Sequence, residues 1–333
     1  RIEEDWNSRK SDGTYREDRT RLRYRARIGM NYDANDWASF GIRLRTGDPN
    51  KQQDPQLTIG EGFDEFSSLP IKYKWLDAWV GKNEFSFEKQ NELFWSDNVF
   101  PEGIFVSGLV NFGSNWIESI KFSGAHYIMR SNNSSLNKDS FIDVLQATSK
   151  HWDNRITLFP TMYFFNKMPN IPDGNETYFF NYAILHLGTK VLAFKKPKIT
   201  LGLDLYQNLE NYQHNDSIPE ALKDQKKGMV ASLVWGQLKD KNDFAVGVYC
   251  TYLERYAAVD FLAQNDWARW DYSSQGSKDG RLTNFKGLEL MAGYRINKSM
   301  RLKMRYFIVN QLIPYGESLE NGDRIRLDLD IGF

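Results

Sequence analysis

Residues 21–30, Arg21-Leu22-Arg23-Tyr24-Arg25-Ala26-Arg27-Ile28-Gly29-Met30, carry an apolar side chain at every second position and an arginine at nearly every position between. Successive side chains of a strand point to opposite faces, so this run has one greasy face and one guanidinium face. After a turn expected over 31–36, Ala38, Phe40, Ile42 and Leu44 alternate with Ser39, Gly41, Arg43 and Arg45. The two runs make a hairpin whose faces match. The chain's last residues repeat the pattern, with Ile325, Leu327, Leu329, Ile331 and Phe333 alternating with Arg324, Arg326, Asp328, Asp330 and Gly332.

Working outward from these ends, further strands are expected near 71–81, 84–90, 103–111, 116–130, 139–150, 155–166, 177–193, 198–207, 228–238, 244–256, 284–296 and 300–312. The connections fall into two alternating classes. Short ones lie at 31–36, 81–83, 112–115, 151–154, 194–197, 239–243 and 297–299, and longer ones at 47–70, 91–102, 131–138, 167–176, 208–227, 257–283 and 313–322. Short turns on one rim and long loops on the other are the layout of a transmembrane barrel, which has an even strand count when both ends share a rim. Residues 1–6 supply the strand that brings the total to about 16, with 7–18 as its loop. Residues 217–227 can form a short loop helix, and 71–81 switches parity between Tyr73 and Leu76, as a bulge would.

Composition narrows the function classes. The chain has 333 residues, 43 Lys+Arg against 43 Asp+Glu, and a mean hydropathy of -0.59. No apolar run approaches the roughly 18–20 residues of a membrane-spanning helix, whereas barrel strands dilute their apolar residues with a polar face. The charge balance argues against a nucleic-acid binder acting through a net basic field. Aromatics make up 15% of the chain, which suits interfacial girdles, and Trp37, Trp116, Trp152, Phe112 and Phe194 fall beside short turns while Tyr178, Phe179, Tyr252 and Tyr256 fall toward loops. Cys250 is the single cysteine and reads as a lone buried thiol. The opening Arg1-Ile2-Glu3-Glu4-Asp5-Trp6 has no basic-then-apolar signal segment, which decides nothing about export because a trimmed product would look the same.

A soluble sandwich would alternate too, but so many strands at so regular a spacing exceed one sandwich, and no blade repeat of a propeller appears. In hydrocarbon every backbone N–H and C=O needs a partner, so the last strand must close on the first. The expected fold is all-β: a closed antiparallel transmembrane β-barrel of about 16 strands, one domain over 1–333, with short periplasmic turns and long extracellular loops.

The stretch from Asp18 to Gly29, the run Phe40-Gly41-Ile42-Arg43-Leu44-Arg45-Thr46-Gly47, and the segments Leu93-Phe94-Trp95-Ser96-Asp97-Asn98 and Phe100 to Gly103 resemble the putative-porin family of Bacteroidota outer membranes. The terminal run from Arg324 to Phe333 resembles the C-terminal signal read by the barrel-assembly machinery, with Phe333 as its last residue. The resemblance implies a bacterial outer-membrane location, contact with outer-membrane lipid, and passage of small hydrophilic solutes. General porins pack as trimers, so it also implies a homotrimer or another envelope protein as partner. It implies no nucleic acid and no cofactor.

With apolar residues facing lipid, Arg21, Arg23, Arg25, Arg27, Arg43 and Arg45 form a basic patch in the lumen. Like charges so placed repel by on the order of 1 kcal/mol per close pair in wet surroundings. Two readings offset this: pairing with acids on neighbouring strands, for which Arg324, Arg326, Asp328 and Asp330 are available, or a charge-lined eyelet. In general porins the third loop enters the lumen and opposes acids to a basic wall. Here that loop is 91–102, with Glu92, Asp97 and Glu102, and its Leu93, Phe94, Trp95, Val99 and Phe100 suit burial against the wall better than exposure. Loop 47–70, with Glu61, Asp64 and Glu65, is a second candidate plug. The expected function is therefore an arginine-lined pore for passive diffusion with a weak anion preference. The alternative is a non-conducting barrel acting as a scaffold, with 208–227 and 257–283 as plugs or docking loops anchored by Phe261, Trp267, Trp270 and Tyr272.

Catalytic chemistry finds no frame. His126, His151, His186 and His214 lie far apart with no zinc spacing, and no phosphate loop or G-x-S-x-G elbow occurs. Ser123 and His126 share a strand, which is the only hint of an outer-membrane hydrolase.

Overall fold

The computed structural model describes residues 1–46, 62–97, 99–114, 116–130, 139–169, 179–264, 266–267, 283–314 and 316–332. Among these residues, seventeen strand segments join in one sheet. They are Ile2–Trp6 (β1), Arg19–Leu22 (β2), Arg27–Asp33 (β3), Ser39–Thr46 (β4), Gly62–Tyr73 (β5), Leu76–Lys82 (β6), Glu102–Asn111 (β7), Ser119–Arg130 (β8), Ser140–His151 (β9), Ile156–Pro169 (β10), Phe179–Lys195 (β11), Lys198–Asn208 (β12), Lys227–Gly236 (β13), Phe244–Leu253 (β14), Phe285–Arg295 (β15), Met300–Gln311 (β16) and Asn321–Ile331 (β17).

β2 and β3 are two halves of one strand: β2 pairs with β1, β3 pairs with β4, and the stretch between them still accepts the Thr46 N–H at the Ala26 carbonyl, 3.0 Å. The barrel thus has sixteen staves, in agreement with the count from sequence. Each stave pairs antiparallel with its sequence neighbour. The ring closes through β1, which sets Ile2 opposite Leu327 of β17 on one side and opposite Leu22 of β2 on the other. Closure gives the backbone of these staves partners within the sheet, as hydrocarbon requires.

The two faces of the wall divide as the alternation predicts. Leu22, Ile28 and Met30 of the first hairpin, Leu201, Leu203 and Leu205 of β12, and Leu327, Leu329 and Ile331 of β17 are exposed on the outside. Their neighbours in sequence point inward, and Asp204, Tyr206, Arg324 and Asp328 are buried there. An apolar outside around a polar or packed inside is the reverse of a soluble protein and fits a lipid surround. Leu203→Arg, halfway along β12 on the outer face, is expected to cost about 2–4 kcal/mol, read as a lower urea midpoint for refolded barrels in lipid vesicles.

Aromatics ring the turn-bearing rim. Trp37, Trp75, Phe112, Trp116, Trp152 and Phe194 are exposed there, and Trp116 lies 5.2 Å from Trp152 between ring centres. Turn chemistry is local: in 237–243 the backbone N–H groups of Asp240 and Lys239 donate to the Asp243 carboxylate at 2.8 and 2.9 Å, holding its pKa below the usual range. Of the loop-side aromatics, Phe179 and Tyr252 are exposed, Tyr178 lies outside the described residues, and Tyr256 is buried inside the barrel instead.

Two expectations about the first third of the chain are corrected. The parity switch at 71–81 is a hairpin turn: Tyr73 pairs with Leu76 around Lys74 and Trp75, and Lys74 adopts the left-handed φ of 49°. There is accordingly no strand at 84–90 and no turn at 81–83, and the third loop runs over 83–101. The stretch 62–70, read as part of a plug, belongs to β5 with Asp64 and Glu65 on it; Glu61 lies outside the described residues. The short loop helix in 217–227 is a 3-10 turn at Glu220–Leu222.

Candidate functional site

The lumen is built in two unlike halves. Inward positions of β6–β12 carry aromatics, among them Trp79, Phe105, Tyr127, Tyr163, Phe165, Tyr182 and Tyr206, all buried. The third loop packs on them. Phe85 stacks on Trp95 at 4.2 Å, Phe87 meets Phe105 edge-on at 5.3 Å, and Phe94 lies flat on Tyr206 at 5.0 Å with an interplanar angle of 3°. Leu93, Phe94, Trp95 and Val99 are all buried. Each such side chain contributes about 1.5–3 kcal/mol by leaving water. Polar contacts fix the register: Asn91 Nδ2 donates to Asp204 at 2.5 Å, and the Glu88 N–H donates to Gln146 at 2.8 Å. Gly202 makes the room, since a Cβ there would stand 1.5 Å from Gln90 Oε1.

The sixth and seventh loops add to this filling. Tyr212 of the sixth loop donates to the Asn181 carbonyl at 2.7 Å, accepts from Asn208 at 2.9 Å, and has its phenol pKa raised by burial. The seventh loop, 254–284, reaches across to the third, where the Ser96 N–H donates to the Leu262 carbonyl at 2.8 Å. Its Trp267 stacks on Phe285 and meets Phe307 edge-on. Its Asp266, buried, contacts Arg324 at 3.2 Å and Arg305 at 3.6 Å and is ion-paired with Arg326.

The opposite half of the lumen, β15–β4 through β17 and β1, is charged. Glu3 and Asp5 of β1 are buried between arginines: Arg21 pairs with Glu3 at 2.9 Å and Arg19 with Asp5 at 2.9 Å, while Arg324 donates to both oxygens of Asp5 at 2.5 and 3.1 Å. Arg326 holds Asp328 at 2.6 Å and Arg1 holds it at 2.7 Å. Arg305 grips Glu289 through two bonds of 2.5 and 2.8 Å. Buried charges are tolerated only when paired and hydrogen-bonded, and this ladder satisfies that condition across the closing seam. Asp5→Asn should therefore loosen the β1–β17 seam by about 1.5–3 kcal/mol, visible as a lower temperature at which the compact band of unboiled protein gives way to the extended one.

The residues singled out by sequence distribute as follows. Arg21, Arg23, Arg25, Arg27, Arg43 and Arg45 share the inward parity; Arg23 lies 3.8 Å from Glu3, Arg43 pairs with Glu84 at 3.0 Å, and Arg45 is buried. Glu92 lies 3.7 Å from Arg305 across the gap between the third loop and the charged wall. Asp97 turns back to Lys89 of its own loop at 2.5 Å. Glu102 is not brought to either acid: it opens β7 with the parity of the outward Ile104 and Val106. Arg324, Arg326 and Asp328 join the ladder, Asp330 pairs with Arg301 at 2.7 Å, and Phe333 lies outside the described residues. Trp267 is a buried luminal anchor, and Trp270 and Tyr272 lie outside the described residues, as does the side chain of Phe261. Cys250 is exposed, against the expected buried thiol. Ser123 points inward and His126 outward, bonded to Asp143 at 2.7 Å, so they make no dyad. The residues missed include Glu3, Asp5, Asp266 and Glu289; the first two sit in a stretch too short to alternate, and Asp266 sits in a long loop with no distinguishing frame.

A closed sixteen-stave barrel with an apolar exterior, an inward third loop and a charged opposite wall has the architecture of porin-like outer-membrane β-barrels. Residues 8–152 match the family described as Putative porin, the part of the chain that holds the arginine strands and the third loop. Among solved structures the chain is similar to OmpF of Salmonella typhi in complex with daunomycin, at 12% identity and a TM-score of 0.52 over 98% of this chain and 95% of that one. It is also similar to a triple mutant of the Rhodopseudomonas blastica porin, at 9% identity and TM-score 0.51 over 98% and 96%. A loop-deleted OmpT, an outer-membrane protein of Vibrio cholerae, aligns at 9% identity and TM-score 0.51 over 97% and 95%. At these identities the likeness concerns the fold. No curated protein matches the chain.

Proposed function

We propose that the barrel conducts small hydrophilic solutes by passive diffusion, through the gap between the third loop and the charged wall. The observation that carries this reading is the asymmetry of the lumen. The third loop is spent on the aromatic half, and polar space remains on both sides of it. One cavity of about 250 Å³ is lined by Lys89, Glu92, Glu289, Lys303 and Arg305, and another of about 580 Å³ lies nearer the turns, with Glu88, Glu118, Lys121 and Lys150 on its walls. Charged, wet walls favour polar over apolar solutes.

The weak anion preference rests on Arg21, Arg23, Arg25, Arg27, Arg43 and Arg45 as a pore-lining row. It is weak because Glu3, with Asp5 at 3.9 Å from Arg21, and Glu84 answer part of that charge. The constriction acids of this reading are Glu92 and Asp97, with Phe333 as assembly signal and a homotrimer as the working assembly. Truncating Arg23, Arg25, Arg27 and Arg43 to glutamine should move the reversal potential in planar bilayers toward cations by several millivolts in a salt gradient; an unchanged anion-to-cation ratio sinks the preference.

A second reading, a barrel plugged by its loops and serving as a scaffold, is favoured by the burial of Trp95 and Trp267 in the lumen. Bilayer recordings separate the two: stable open steps support diffusion, and silence from verified folded barrels supports the scaffold.

A further inference from the structure

On the turn side of the third loop, the inner wall of β7, β8 and β9 carries side chains in facing rows. The row nearest the loop is spent on it: Gln146 accepts the Glu88 N–H at 2.8 Å and donates to the Glu88 carbonyl at 3.0 Å. The next two rows, Leu109–Lys121–Thr148 and Asn111–Ser119–Lys150, descend toward the turns and line the cavity of about 580 Å³. The 151–154 turn adds Asn154, whose N–H donates to the Glu118 carboxylate at 2.7 Å.

The polar groups of these lower rows are free. Among the described residues the side chains of Asn111, Ser119, Lys150 and Asn154 make no hydrogen bond or ion pair, and Lys121 meets only the Phe105 ring, at 5.6 Å. Lys89 and Lys190, by contrast, hold Asp97 and Glu88. The acids on the cavity wall are engaged by other groups, Glu88 by Lys190 and Glu118 by the Asn154 N–H, and neither pairs with Lys121 or Lys150. The two lysines are diagonal neighbours on adjacent strands, about 7–8 Å apart at Cα. Ammonium groups so placed repel each other, and an anionic group set between them relieves the repulsion. Around them the amides and the hydroxyl offer donors and acceptors to neutral hydroxyl groups, and the exposed Leu109 offers an apolar strip to C–H groups. The volume falls within the range of about 300–1,000 Å³ usual for small-molecule sites.

We propose that this cavity binds acidic saccharides of one or two rings, with Lys121 and Lys150 receiving the anionic group and Asn111, Ser119 and Asn154 the ring hydroxyls. The proposal rests on the diffusion reading for the role of the site, and deepens it by naming a solute class. It uses no residue of the gap between the third loop and the charged wall.

Calorimetric titration of refolded barrels in detergent tests it with three probes: digalacturonate, neutral cellobiose and inorganic sulfate. Digalacturonate is expected to bind most tightly, because it alone carries both charge and hydroxyls. Lys121→Gln and Lys150→Gln should each weaken it by about fivefold, the upper range for a partly exposed ion pair, and leave cellobiose unchanged. Lys150→Arg should keep most of the binding. Asn111→Ala should weaken both saccharides and spare sulfate. Digalacturonate held no more tightly than cellobiose overturns the role of the lysines, and sulfate held as tightly as digalacturonate overturns the saccharide class. Binding that survives both glutamine substitutions, or no binding of any probe by barrels with normal heat-modifiable migration, overturns the site. Arabinose entry into liposomes is measured separately: its absence while digalacturonate still binds overturns the diffusion reading and supports the site as one of binding alone.

Discussion

Asp266→Asn is expected to raise single-channel conductance and to shift the reversal potential strongly toward anions. Asp266 is the only seventh-loop acid seen among the described residues to reach the basic wall, and it touches Arg305, Arg324 and Arg326 at once. Removing one member of a buried charged cluster leaves the others uncompensated, at a cost of about 3–5 kcal/mol. A loss of that size changes the ratio of docked to undocked loop by at least a hundredfold or so. The guanidinium groups then face the water path directly, and the field of the gap changes sign locally. Because buried pairs are screened little, the wild-type contrast should survive high salt better than any effect of the half-exposed Arg301–Asp330 pair. Conductance and selectivity equal to wild type would mean that Asp266 does not guard the wall.

Trp95→Ala is expected to free the third loop and widen the passage, with little effect on the staves. Trp95 is 1% exposed, stacks on Phe85, and donates from Nε1 to the Val99 carbonyl at 3.1 Å. Truncating a buried tryptophan costs about 3–5 kcal/mol, comparable to what holds a loop of this length in place. Larger steps in planar bilayers and new protease cuts within 83–101 should appear together, while heat-modifiable migration stays that of a closed barrel. Trp95→Phe keeps the stacking and should behave close to wild type. If alanine at this position leaves both the step size and the protease pattern alone, the loop is not held by its aromatic contacts.

How far the sequence could be read depended on periodicity. Where one face meets lipid and the other meets polar lumen, as in Leu22–Met30 or Ile325–Ile331, alternation is enforced at every residue, and strand count, closure and facing followed from it. It failed where the lumen is packed. Phe85 and Phe87 alternate with Ser86 and Glu88 and so imitate a strand, but their faces are set by a folded loop against an aromatic wall. The Lys74–Trp75 turn has neither glycine, asparagine nor proline to mark it, so the sequence shows the end of β5 and most of β6 as one strand over 71–81 and leaves the rest of β5 in a loop. Asp5 and Asp266 escaped for a different reason. Their partners lie 319 and 58 residues away at Arg324, and pairing at such distances leaves no local trace. Luminal side-chain placement is decided by tertiary contacts, which spacing alone does not encode.

The β1–β17 junction has a kinetic corollary. Every other pair of staves joins neighbours along the chain and can zip as a hairpin, but this pair unites segments more than 300 residues apart. Entropy of closing so wide a loop grows only slowly with its size, by about 0.6 kcal/mol per doubling, so the contact is affordable at equilibrium yet late in time. The short opening segment has to wait, unpaired on one flank, until the final stave arrives, and Asp5 is then the residue that two arginines from either side meet to seal the cylinder.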